Sequence, residues 1–314
     1  MQSTVNAPKF QTDEEARAFL EQVLWPEGPV CPHCGVVNHA YPTKRAGVYR
    51  CAEKLCRKDF TVTMKTVMER SHIALHKWLQ GFQLMCASKK GVSAHQLHRT
   101  LNITYRSAWF MAHRIREAMR AGGLSPLGGE GKVVEADETY YGEIPESKRR
   151  AVTTSGRPFT KSGKHGPSNK RAIVALVERG GSVRSFHVAV ADAESVSKIV
   201  NENVLRETRL HTDESRLYTK LGAAFAAHET INHSAKEYAR GDVTTNSVEG
   251  YFSIFKRDMR GVYQHCAEKH LHRYLAEYDF RFNHRVKLGY GDGERAALAV
   301  KNASGKRLTY RGCN

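Results

Sequence analysis

Apolar residues first recur with helical spacing at Ala16, Phe19, Leu20, Val23 and Leu24. They follow a capping-box pair, Thr12 and Glu15, whose hydroxyl and carboxylate satisfy orphan amides at a helix start. Trp25-Pro26 ends that helix. The pattern then breaks into short pieces around Gly47, Val48, Tyr49, Phe60 and Val62, as small hairpins do. From Ser71 to about Met119 it is helical again. One apolar-striped helix runs through His76–Met85. A second, Ala94–Leu101, is capped by Ser93 and broken at Asn102-Ile103-Thr104. A third starts near Tyr105 and carries Trp109, Ala112, Ile115 and Met119 on one side. Two helices joined by about three residues, the second bearing Arg106, His113, Arg114 and Arg116, predict a helix-turn-helix.

Residues 121–131 hold five glycines and a proline in eleven positions and read as a linker. Beyond it the period turns to that of strands. Val133–Asp137 is a first strand, Ala172–Val177 a buried one turned by Gly180-Gly181, and Phe186, Val188 and Val190 alternate in a third. Ala193–Val204 reads as a helix capped near Asp192, Arg209–Asp213 as a short strand, and Leu217–Ala227 as another helix. Long helices follow at about Thr245–Arg260 and Glu268–Asn283. Strands interleaved with helices predict a mixed α/β sheet, so the whole is a multidomain α+β chain.

Charge changes the picture. Among 314 residues, 49 Lys and Arg face 32 Asp and Glu, a formal charge of +17, which points to a polyanionic partner. No run approaches the roughly 18 consecutive apolar residues of a membrane span. The first residues lack the apolar core of a secretory signal, so the expected location is cytoplasmic. No basic amphipathic helix or lipidation signal favours a membrane surface, and nucleic acid is the expected partner. The stretch 147–171 carries eight Lys and Arg and no acid. It includes Lys148, Arg149 and Arg150 and reads as a basic loop giving salt-dependent, sequence-independent affinity.

Cys31-x2-Cys34 and Cys51-x4-Cys56, with 16 residues between the pairs, have the spacing of a four-cysteine zinc ribbon. Pro32 and Gly35 favour the tight knuckle that each thiolate pair needs. Four protein ligands leave no position for a water, so one Zn²⁺ here is structural.

In so basic a chain, acids at strand ends are informative. Asp137 ends the first strand and Asp213 a later one, while Glu249 lies on the long helix, separated from Asp213 by 35 residues. Carboxylates from two strands and a helix, converging at a sheet edge, can hold two Mg²⁺ or Mn²⁺ ions through oxygen ligands. Such a pair supports in-line phosphoryl displacement. Glu135, Glu138 and Glu214 compete for these positions on sequence alone. Lys256 lies two turns beyond Glu249, with Arg257 and Arg260 nearby, and such cations would hold DNA phosphates against the metals.

These residues resemble the DDE transposases of bacterial insertion sequences, in particular the group with an N-terminal zinc ribbon. CPHCG, VEADETYYG, HTDES, TNSVEGYFSIFKRDMRGVYQH, HLHRYLAEYDFRFNHR and the closing GKRLTYRG are similar to its signatures over nearly the whole chain. The resemblance implies an RNase H-like catalytic domain and divalent-metal strand cleavage and transfer. It also implies binding to the element's terminal inverted repeats and to target DNA, and a homodimer or larger assembly on paired ends near the bacterial nucleoid. Carried across, Asp137, Asp213 and Glu249 are the metal ligands. Asn246, one turn before Glu249, is an adjacent polar helper, since some members carry Asn as third ligand.

The expected domains are a helix and ribbon at 1–70, a helix-turn-helix at 71–120, the linker, a catalytic domain at 132–290 and a tail at 291–314. Within the helix-turn-helix, Arg106 and Arg114 are the expected DNA contacts. Two other functions fit much of this pattern: a non-catalytic zinc-ribbon and helix-turn-helix regulator, and another RNase H-like nuclease such as a junction resolvase.

Overall fold

A computed structural model of the chain describes residues 6–143, 170–219 and 221–309. The chain divides into two compact units, Met1–Ala121 with His284–Asn314, and Gly122–Asn283. None of the helices among the described residues is long and apolar enough to cross a membrane.

The first unit opens with α1 (Asp13–Leu24), whose Thr12 hydroxyl accepts the Glu15 amide as the capping pair requires. A three-stranded antiparallel ribbon follows, β1 (Ala40–Pro42), β2 (Tyr49–Cys51) and β3 (Asp59–Phe60), paired in that order. Next come α2 (Leu75–Ala87), α3 (Ala94–Leu101) and α4 (Tyr105–Met119). The α3–α4 pair has the predicted bounds. Ser93 and Thr104 accept the Gln96 and Ser107 amides at 3.1 and 3.2 Å. Asn102 takes the left-handed conformation that ends α3, one that a short polar side chain tolerates. Trp78, Phe82, Leu97, Met111 and Ile115 are fully buried in this unit. The tail adds α8 (Asp292–Lys301), a helix unforeseen in the sequence, which packs against α1, α2 and α4. Its Arg295 donates to the Cys86 carbonyl at 2.7 Å.

The second unit is a five-stranded sheet: β4 (Val133–Glu143), β5 (Lys170–Glu178), β6 (Val183–Val188), β7 (Arg209–Asp213) and β8 (Ala227–Ile231). Its order is β6-β5-β4-β7-β8. β4, β5 and β6 pair antiparallel, whereas β7 runs parallel to both β4 and β8. β5 is buried along nearly its whole length, because both faces of the sheet are covered. The period of two sorts the core. Ile173, Ala175 and Val177 pack with α6 (Asn246–Asp258) and α7 (Leu271–Asn283). Val174 and Leu176 join Val134, Ala136 and Leu210 in a second cluster with α5 (Ala193–Asn203). Asp192 caps α5, accepting the Ser195 amide at 2.9 Å.

Two expectations for this unit are corrected. β4 runs on to Glu143, so Asp137 lies within the strand rather than at its end. Leu217–Ala227 is not an α-helix among its described residues. It forms turns and a 3-10 turn at Gly222–Ala224, leading into β8. Leu217, Tyr218, Leu221 and Phe225 do pack inward with helix-like spacing, but on a crossover between two parallel strands. β8 itself escaped notice because Ile231 is its only buried residue, so it shows no apolar alternation.

Candidate metal centres and nucleic-acid interface

In the ribbon, Cys31 and Cys34 sit on one knuckle, and Cys51 and Cys56 on the other. Cys31 Sγ lies 3.7 Å from Cys56 Sγ, and Cys34 Sγ lies 3.6 Å from Cys51 Sγ. All four sulfurs fall within 4.8 Å of one another. A tetrahedral zinc with bonds of about 2.3 Å spaces its sulfurs by roughly 3.8 Å, so the cluster fits that ion. Burial opposes charge on Cys31 most strongly, yet amide donation from Cys34 and His33 draws its thiol down to about 7. Trp25, Tyr49 and Phe60 pack beside the sulfurs.

The carboxylate site is built by the β4–β7 pair. Val133 lies opposite Arg209 and Glu135 opposite His211. Asp137 and Asp213 each lie two residues beyond that last pair. Ligand oxygens of Asp137, Glu138 and Asp213 lie within 4.8 Å of one another. An all-oxygen set of this kind fits a hard dication such as Mg²⁺ or Mn²⁺. Glu138 reaches the cluster while accepting the Tyr218 hydroxyl at 2.9 Å. Burial, and then the charges of Asp137 and Asp213, raise the pKa of both Tyr140 and Tyr218 and so oppose their ionisation. These phenols therefore remain neutral hydrogen-bond donors beside the acids.

Glu249 is not in that three-residue cluster. It projects from the first turn of α6, where Oε1 accepts the Thr245 hydroxyl at 2.8 Å and lies 3.2 Å from His233 Nε2. Asn246, at the helix start, is exposed. Lys256, further along α6, is half-buried. Burial lowers its pKa, and Asp137 is the charge that opposes the fall, so the ammonium and that acid share one field.

The other acids that competed on sequence have defined partners. Glu214 accepts the His233 and Ser234 amides at 2.9 and 3.2 Å and the Ser234 hydroxyl at 2.7 Å. Burial resists its ionisation most, but these donors outweigh it and hold the carboxyl at about 2. Glu135 is fully buried and receives donors from α6 and from Arg179. Neither its role nor that of His233 was read from the sequence. The available signal for Glu135 was its position two residues before Asp137, on the same strand face.

Of the expected DNA contacts, Arg106, Arg257 and Arg260 are exposed. Arg106 lies in the first turn of α4 beside Tyr105, whose ring stacks on His95 at 4.3 Å. Arg114 requires correction as a surface contact. The C-terminal half of α4 is buried, and its guanidinium donates to the carbonyls of Leu308 and Glu69, each at 3.1 Å. Lys148, Arg149 and Arg150 lie outside the described residues.

Comparison with known proteins follows the same division of the chain. Residues 126–283, half of the chain, match the ISXO2-like transposase domain. Residues 11–59 match the transposase zinc-ribbon domain. A protein of Halobacterium salinarum, described as an uncharacterized protein in transposable element ISH50, is 27% identical over 255 residues, spanning 79% of this chain and 83% of the relative. Among solved structures, a chain of the simian T-cell lymphotropic virus intasome in complex with PP2A regulatory subunit B56 gamma is similar, with a TM-score of 0.28 and 12% identity over 58% of this chain and 67% of that one. With one family domain on the cysteine ribbon and the other on the sheet that bears the acids, the chain belongs to the ISXO2-like transposases of insertion sequences.

Proposed function

We propose that this chain binds double-stranded DNA at the terminal inverted repeats of its element. There it cleaves strands and joins them to target DNA by two-metal phosphoryl transfer in an RNase H-like domain. The observation that carries the proposal is the pairing of Asp137 and Asp213 on neighbouring parallel strands, with their oxygens in one cluster. The β6-β5-β4-β7-β8 order, antiparallel on one side of β4 and parallel on the other, supports the RNase H-like assignment.

Asp137 and Asp213 are the first two ligands in this proposal, and Glu249 is the third, brought by α6, with Asn246 as a polar neighbour. Two divalent ions bound there would supply activation of a water or a 3′-hydroxyl and stabilisation of the leaving oxygen. The chain's own groups orient the DNA. Lys256, held near Asp137 by α6, meets the phosphate beside the reacting one, and Arg257 and Arg260 hold its neighbours. Glu138, fixed by Tyr218, shapes the acid cluster from beside Asp137.

Sequence reading is assigned to the α3–α4 helix-turn-helix. Arg106 makes base or phosphate contacts from the exposed first turn of α4. One structural Zn²⁺ on Cys31, Cys34, Cys51 and Cys56 holds the ribbon, which adds backbone contacts. Lys148, Arg149 and Arg150 contribute non-specific affinity. Joining two ends in one reaction calls for a dimer or larger assembly.

The test is nicking of DNA bearing the ends that flank this gene, with Mg²⁺ or Mn²⁺. Wild type is expected to nick at the ends, and Asp137→Asn to bind the same DNA without nicking. Binding with no metal-dependent nicking by wild type would instead support the regulator.

A further inference from the structure

We propose that Glu135 is a positioning residue that sets the distance between the two strand aspartates and the catalytic helix α6. This rests on the reading that Asp137, Asp213 and Glu249 act together on metal.

The first turn of α6 exposes amides that need acceptors. The preceding residue, Thr245, is at the position where a hydroxyl would normally cap them, but it makes no such bond. Its hydroxyl goes instead to Glu249, at 2.8 Å. Glu135, from another element, takes over the cap. Its Oε2 accepts the Ser247 and Val248 amides at 2.7 and 3.1 Å, and its Oε1 accepts the Ser247 hydroxyl at 3.0 Å.

A fully buried carboxylate requires a counter-charge, and Arg179 supplies it through Nε and Nη2, at 3.1 and 2.9 Å. The same guanidinium donates to the Asp242 carbonyl at 2.7 Å and the Thr244 hydroxyl at 3.1 Å. The segment leading into α6 is therefore tied to the same anchor. Because side chains alternate along a strand, Glu135 and Asp137 share one face of β4. A single short piece of strand thus carries a metal ligand and, one rung below, the cap of the helix that brings Glu249 and Lys256. Thr245, freed from capping, is available to orient the Glu249 carboxylate.

Glu135→Gln keeps one acceptor oxygen but turns an amide NH2 toward donors, so the start of α6 is pushed away while the side-chain volume is retained. In the full-length protein, wild type is expected to take up two Mn²⁺ by calorimetric titration. Glu135→Gln is expected to lose or weaken one of them. It should bind end DNA with unchanged Kd and keep its KM for DNA. Its kcat for cleavage should fall roughly 10- to 100-fold, as when a partner that orients a metal ligand is removed. A general loss of folding would lower the active fraction without removing one ion of two. Should Glu135→Gln fail to fold, Ser247→Ala decides, since it removes one donor to Glu135. A fall in kcat of about 2- to 10-fold is expected there, and a wild-type rate overturns the assignment. Wild-type kcat and Mn²⁺ uptake in a folded Glu135→Gln, beside their loss in Asp137→Asn, would overturn the positioning role and leave the proposed function standing. No Mn²⁺ uptake or cleavage by wild type would overturn both.

Discussion

At the scale of single residues, the acids divide by what their oxygens accept. Glu214 and Glu135 are occupied by backbone amides of the turn after β8 and of α6. Asp137 and Asp213 share a cluster with Glu138. Glu249 is bonded through a single hydroxyl and an adjacent imidazole. On the proposed ligand set, Glu249→Ala should abolish cleavage, whereas Asn246→Ala should only reduce it, and equal complete loss in both would undo the order. The strand end expected at Asp137 is not there, since β4 runs on to Glu143, whereas that at Asp213 was legible in the sequence. The duties of Glu135 were not, because a cap supplied by a strand to a helix 112 residues away leaves no local pattern. Arg114 was misjudged for a related reason. Charge in a helix-turn-helix suggested DNA, but burial of the second half of α4 turned that guanidinium toward two backbone carbonyls.

At the scale of elements, α3 was readable to the residue from its local Ser93 cap, and α4 from the break before it, where Thr104 also proves to be a cap. Those caps should carry measurable stability. Ser93→Ala or Thr104→Ala is expected to cost about 1 kcal/mol each in denaturant melts, and no change in midpoint for either would count against this description of the turn. A zinc ribbon of this size would depend on its ion. Three strands of two or three residues around a small aromatic cluster cannot bury enough surface alone. Chelation, or Cys31→Ser, should unfold it with a loss on the order of 10 kcal/mol of binding-coupled stability. Retained near-ultraviolet signal from Trp25 in excess chelator would contradict that. β8 and α8 escaped the sequence reading for opposite reasons. β8 is an edge with one buried side chain. α8 is an alanine-rich helix whose cap comes from Glu294 on the Gly291 amide rather than from a side chain at the cap position.

At the scale of the whole molecule, a formal charge of +17 would make the proposed DNA affinity strongly salt-dependent. If Lys148, Arg149 and Arg150 each neutralise a phosphate, replacing all three by Ala should flatten the slope of log K against log salt by about 2 to 3. An unchanged slope would remove the stretch 147–171 from the interface. A zinc ribbon, a helix pair such as α3–α4 and a basic stretch would serve a regulator as readily as a transposase. In the proposed function, the two differ experimentally in the chemistry assigned to Asp137, Asp213 and Glu249. The most direct measurement is therefore strand joining: wild type and Asp213→Asn incubated with Mg²⁺ or Mn²⁺, DNA carrying the gene's own flanking ends, and a target duplex. Joined products from wild type, with none from Asp213→Asn at equal DNA binding, are the predicted result. End-specific binding without cleavage or joining by wild type, or joining that survives Asp213→Asn, would contradict it.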